Sequence, residues 1–148
     1  MATEEVLNAI PHRPPFLFVD EVVEQTEKSL TARRHVPDTE SFFEGHYPNN
    51  PIMPGVIISE AVFQTGAIYM SRLFADRIKE DPTLVPVLSK IENARFKSIV
   101  RPNDTLLITV KYKESMGAFS FLDGSVQTDD GRRVMTVSFC VALASAKA

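Results

Sequence analysis

Residues 45–64 read GHYPNNPIMPGVIISEAVFQ, and within this stretch the chain passes from a proline-rich turn into an apolar helix. Pro48, Pro51 and Pro54 fix their own φ and turn each preceding residue away from the helical region, which holds His46 on a stiff, extended loop. Past Pro54 the breakers stop. Pro54 and Gly55 suit a helix start, and Val56, Ile57, Ile58, Ala61, Val62, Phe63, Ala67, Ile68, Met70, Leu73 and Phe74 set apolar groups on every face of the turns that follow. A helix that is apolar all round belongs in an interior. Within it Glu60 and Gln64 stand at i and i+4, on one face and within hydrogen-bonding reach, with no other charged or amide side chain before Arg72. A buried carboxylate is costly unless it is paired or put to use, so Glu60 is a candidate acid. His46 and Glu60 are the side-chain types that general acid–base chemistry uses most often.

The rest of the chain supplies the sheet that such a helix needs. Thr3–Ala9 suits a short helix with Thr3 as its cap and Glu4 and Glu5 in the first turn. Pro11, Pro14 and Pro15 force an extended approach to a strand over Phe16–Glu24, and Ser29–Val36 suits a second. After Asp81-Pro82 breaks the chain, β-rich segments cover Leu84–Phe96, Thr105–Glu114, Ala118–Thr128 and Arg132–Ala142. Turn signals at Arg101-Pro102-Asn103-Asp104, Ser115-Met116-Gly117 and Asp129-Asp130-Gly131 separate the four, and such short connections demand antiparallel neighbours. The expected class is α+β, one long apolar helix covered by a mostly antiparallel sheet.

Composition narrows the function. At 148 residues the chain, 1–148, fits one domain with its own core, and 44% hydrophobic with 24% charged residues is ordinary for a globular protein. A formal net charge of −3 gives no electrostatic case for nucleic acid. The start, MATEEVLNAI, carries acid where a signal peptide carries positive charge, and Glu60, Gln64 and Arg72 interrupt the apolar helix as a membrane span. A cytoplasmic, reducing compartment is the expectation, and the single cysteine, Cys140, excludes an internal disulfide and suits a core strand position. His12, His35 and His46 are scattered, so no metal cluster is expected. His12 and Arg13 read as anchors of the approach to the first strand, and Phe42-Phe43 as packing, with the lining of a substrate tunnel as the alternative.

The stretch HYPNNPIMPGVIISEAVFQ, together with Ile10-Pro11-His12-Arg13-Pro14-Pro15-Phe16-Leu17-Phe18-Val19-Asp20, Ile91-Glu92-Asn93-Ala94-Arg95-Phe96 and Arg101-Pro102-Asn103-Asp104, resembles the (3R)-3-hydroxyacyl-acyl-carrier-protein dehydratases of type II fatty-acid synthesis, the FabZ type. That resemblance covers nearly the whole chain and implies the hotdog fold, a sheet wrapped around a central helix. Carried over by position, the family's catalytic histidine falls on His46 and its carboxylate on Glu60. Its backbone donor to the thioester carbonyl falls on Gly55, and the carbonyl that orients the histidine on Ile52, while Gln64 supports the carboxylate. Glu60 stands where the dehydratase–isomerase branch has aspartate, which argues for the plain dehydratase. Three positions depart from the family pattern: Asn49 and Asn103 where glycine is usual, and Tyr47 where phenylalanine is frequent. Asparagine is among the residues that best tolerate φ > 0.

Dehydration accounts for these residue types. Imidazole titrates near neutral pH and suits abstraction of the proton beside the carbonyl, a carboxyl can protonate the departing hydroxide, and a fixed N–H at the first turn of a helix can stabilise charge on the thioester oxygen. No metal or organic cofactor is required. The resemblance also implies an acyl carrier protein with a phosphopantetheine-linked substrate as partner. It implies a homodimer, or a trimer of dimers, in which each site takes its histidine from one chain and its carboxylate from the other. Arg95, Lys97 and Arg101 are the first choices for docking an acidic carrier, with Arg33, Arg34 or Arg72 as alternatives. Two other readings stand beside the dehydratase: a hotdog acyl-thioesterase, and a non-catalytic acyl-binding subunit, against which the joint presence of His46 and Glu60 speaks.

Overall fold

The computed structural model describes residues 1–145. Its elements are α1 (Glu4–Ala9), β1 (Glu21–Gln25), β2 (Ser29–His35), α2 (Phe42–Gly45), α3 (Gly55–Leu73), α4 (Ala75–Glu80), β3 (Leu84–Phe96), β4 (Thr105–Met116), β5 (Phe119–Thr128) and β6 (Arg133–Ser145). All strand pairs are antiparallel in one six-stranded sheet of order β1-β2-β4-β5-β6-β3. Helix α3 packs against β2, β3, β4, β5 and β6, so the sheet wraps around it in the hotdog arrangement. Ile58, Ala61, Val62, Ile68 and Met70 on the helix meet Leu106, Ile108, Leu122, Val126, Met135 and Phe139 from the strands in one core.

Glycine makes the closest helix–sheet approach possible. A Cβ on Gly124 in β5 would lie 2.3 Å from Cγ1 of Val62, so any larger residue there would lift α3 off the sheet. Cys140 is buried in β6, and burial pushes its thiol up from the ordinary value. Among the described residues no helix is long and apolar enough to cross a membrane.

Three features differ from the sequence expectation. The first strand begins at Glu21 rather than Phe16. The peptide groups of Phe16 and Phe18 are taken by the Gln64 side chain, which removes this segment from any ladder and seats Leu17, Phe18 and Val19 in the core. Second, α2 and α4 were not expected, because one is a single turn and the other, ADRIKE, has no buried residue to give an apolar period. Third, α3 is not buried all round: Val56 in its first turn is 75% exposed and Leu73 at its end 42%.

Candidate active site

The histidine half begins at α2. Phe43 is buried and Phe42 packs edge-on against it, while His46 forms the C-cap, its N–H donating to the Phe42 carbonyl at 3.0 Å. The chain then turns sharply. Tyr47 adopts φ 57°, a left-handed conformation unusual for so bulky a residue, and the Asn50 N–H closes the turn on the Tyr47 carbonyl at 2.8 Å. Asn49 is therefore not the residue that takes up the unusual backbone. Asn103 is: it has φ 72° in the Arg101–Asp104 turn, where its small polar side chain suits the left-handed region.

The loop is latched in its middle and at its far end. Met53, 2% exposed, donates its N–H to the Val100 carbonyl at 2.8 Å, and Nη1 of Arg101 donates to Oδ1 of Asn50 at 2.5 Å. Asp104 accepts from the Arg101 N–H at 2.9 Å and from Nη2 of Arg132 at 3.1 Å, which steadies that turn in its own right. Nδ1 of His46 lies 2.7 Å from the Ile52 carbonyl oxygen. A carbonyl can only accept, so Nδ1 carries the hydrogen, and in the neutral ring Nε2 presents a lone pair. That is the tautomer a base requires.

The glutamate half is built from α3 and the segment before β1. Gln64 is 1% exposed; its Oε1 accepts from the Phe18 N–H at 2.8 Å, and its Nε2 donates to the Phe16 carbonyl at 3.1 Å and to Oε2 of Glu60 at 2.9 Å. Turning the amide over would set its N–H against the Phe18 N–H and its oxygen against the Phe16 carbonyl and the Glu60 carboxyl, so its orientation is fixed. Glu60 is not sealed in the core, contrary to the expectation of a fully buried carboxylate. Its side chain is 23% exposed, in the wall of an open groove of about 320 Å³ whose lining includes Phe63, Val87, Leu88 and His12. Nε2 of His12 stands 3.8 Å from Oε2 of Glu60. Nothing along the chain links His12 to a residue in the middle of a distant helix, which is why only an anchoring role is legible for it from sequence.

His46 does not line the Glu60 groove. Gly55 opens α3, where the first N–H groups have no acceptor within the helix, and a Cβ there would come within 3.0 Å of the Phe96 ring. The basic residues separate. Arg95 lines one shallow groove with Lys111, Thr109 and Ser125, Lys97 lines another with Arg133, and Arg101 holds the histidine loop.

Residues 10–138 match the FabA-like domain family. A 3-hydroxyacyl-(acyl-carrier-protein) dehydratase FabZ of Petrotoga mobilis is 37% identical over 130 residues, which cover 88% of this chain and 89% of that protein. The FabZ of Oceanobacillus iheyensis is 41% identical over 132 residues, covering 88% and 90%. Among solved structures, the dehydratase heterocomplex ApeI:P from Xenorhabdus doucetiae has the same fold, with a TM-score of 0.80 over 95% of this chain and 91% of that one at 15% identity. A domain match over most of the chain and relatives of this identity along nearly their full length place the chain in the FabA-like family, among the FabZ-type 3-hydroxyacyl-acyl-carrier-protein dehydratases.

Proposed function

We propose that the chain converts (3R)-3-hydroxyacyl thioesters held on an acyl carrier protein into trans-2-enoyl thioesters, with His46 as base and Glu60 as acid. Nε2 of His46 takes the proton from C2, the C2–H electrons form the C2=C3 bond, and the C3–O bond breaks as Glu60 delivers its proton to the departing hydroxyl, releasing water. Charge that builds on the thioester oxygen meets the Gly55 N–H at the positive end of α3. The observation that carries this reading is the state of the histidine: the Ile52 carbonyl commits Nδ1 as donor and leaves Nε2 free to accept.

The site is completed between two copies of the chain, one giving His46 and the other Glu60. Two observations support this. Glu60 faces a groove whose lining lacks His46, and β3 ends the sheet with Val87, Leu88 and Ile91 exposed along an edge that a second β3 can pair. A trimer of such dimers is the larger assembly proposed, and Arg95 and Lys97 are proposed to meet the acidic carrier.

The test follows a 3-hydroxyacyl thioester by enoyl absorbance against free-thiol release. Enoyl product without thiol is expected, and thiol release would make the chain a thioesterase. His46→Ala and Glu60→Gln homo-oligomers should each lose about a hundredfold or more. Mixed, with exchange verified by mass-tagged subunits, they should regain activity towards one intact site per mixed dimer. No recovery despite exchange would confine catalysis to single chains.

A further inference from the structure

His12 is drawn into the acid half by two independent features. Its Nε2 lies 3.8 Å from Oε2 of Glu60, and its Nδ1 is buried with no hydrogen-bond partner among the described residues. An orphaned buried N–H is rarer and costlier than an orphaned lone pair, so Nδ1 is the bare nitrogen and Nε2 carries the hydrogen. The ring therefore points a donor at the oxygen that already accepts from Gln64. The backbone that carries the ring is held, because Arg13 donates to the carbonyls of His12 at 2.6 Å, Ile10 at 2.9 Å and Leu7 at 2.8 Å and ties this segment to the end of α1.

We propose that His12 is a positioning residue for dehydration: together with Gln64 it commits Oε2 of Glu60 to accepting, which leaves Oε1 as the atom that carries the acidic proton to the substrate. The inference rests on Glu60 being the acid. A carboxyl free to rotate would present its proton on either oxygen, and the place from which the proton leaves would not be fixed. Gln64 alone supplies one donor; the imidazole supplies a second from the groove side, and its contact can shorten to hydrogen-bond length when substrate fills the groove, as catalytic contacts do. The ring keeps its own hydrogen throughout, so no proton passes through His12.

The experiment compares His12→Phe, His12→Gln and the double variant of His12→Phe with Glu60→Gln, each checked by thermal melting, on a 3-hydroxyacyl thioester of N-acetylcysteamine. His12→Phe should lower kcat about ten- to a hundredfold with KM nearly unchanged, the size expected for a misplaced catalytic group. His12→Gln, whose amide N–H reaches the same place, should recover most of that loss. In the Glu60→Gln background His12→Phe should add almost nothing, because the oxygen it positions no longer belongs to an acid. Wild-type kcat in His12→Phe, or the same fold loss with and without Glu60, would overturn the proposal. If His12→Phe does not fold, His12→Asn, too short to reach Oε2, takes its place in both backgrounds. Full activity of Glu60→Gln alone would instead sink the acid role of Glu60, a separate failure.

Discussion

Glu60 projects from a 19-residue helix whose following residues, Ala61 to Met70, are all buried, whereas His46 ends a one-turn helix and leads into a loop exposed from Tyr47 to Asn50. The proposed acid is held by a glutamine with three fixed hydrogen bonds beneath the surface; the proposed base is held by one bond to its ring and by latches further along its loop. The difference teaches that the two halves fail differently. Damage to the acid half should unseat the core and the chemistry together, while damage to the base half should reach the chemistry alone.

Gln64→Leu is the strongest way to break that comparison. Leucine removes all three bonds and leaves the Phe18 N–H and the Phe16 carbonyl without their partner. Two such deserted groups together cost about 2–4 kcal/mol of stability, and kcat should fall at least tenfold because Glu60 loses its fixed donor, a loss of roughly the size of other displaced catalytic groups. Urea unfolding and initial rates check both. A large rate loss with unchanged stability would mean that the acid half is no better anchored than the base half.

Arg101→Ala probes the other side and separates two roles for one residue. The Arg101–Asn50 bond is exposed, so its loss should cost less than about 1 kcal/mol. If the bond holds the histidine loop, kcat should fall several-fold on carrier-bound and on small thioesters alike. A rise in KM confined to the carrier-bound substrate would return Arg101 to docking, beside Arg95 and Lys97.

Much of this was legible in the sequence. Three prolines and the onset of apolar residues at Gly55 place both ends of the His46 loop and the start of α3, and the i to i+4 spacing alone places Gln64 against Glu60, because each is a local consequence of backbone stereochemistry. What could not be read is set by distant contacts. Gln64 takes the peptide groups of Phe16 and Phe18 and so converts half an expected strand into core packing; His12 reaches Glu60 only because of that same segment's path. The strain at Tyr47 was equally hidden, since propensity assigns left-handed backbone to Asn49 two residues further on.

Tyr47 offers the finest test of how the base half is held. Its left-handed backbone costs about 1 kcal/mol relative to glycine, yet glycine gives back roughly 0.5–1 kcal/mol through the added freedom of the unfolded chain. Tyr47→Gly should therefore leave stability nearly where it was. The tyrosine ring also stands edge-on to the His46 imidazole, with centroids 4.8 Å apart, and limits the imidazole's swing about the Ile52 carbonyl. Losing the ring should lower kcat by about two- to fivefold, consistent with an aromatic contact of about 0.5–1 kcal/mol. Tyr47→Asn decides which property matters, for asparagine accepts the left-handed turn without supplying a ring. Equal kcat losses in the glycine and asparagine variants, with Tyr47→Phe at the wild-type rate, would assign the effect to the ring. A loss in Tyr47→Gly that Tyr47→Asn does not share would assign it to loop stiffness, and the base would then depend on its backbone as closely as the acid depends on Gln64.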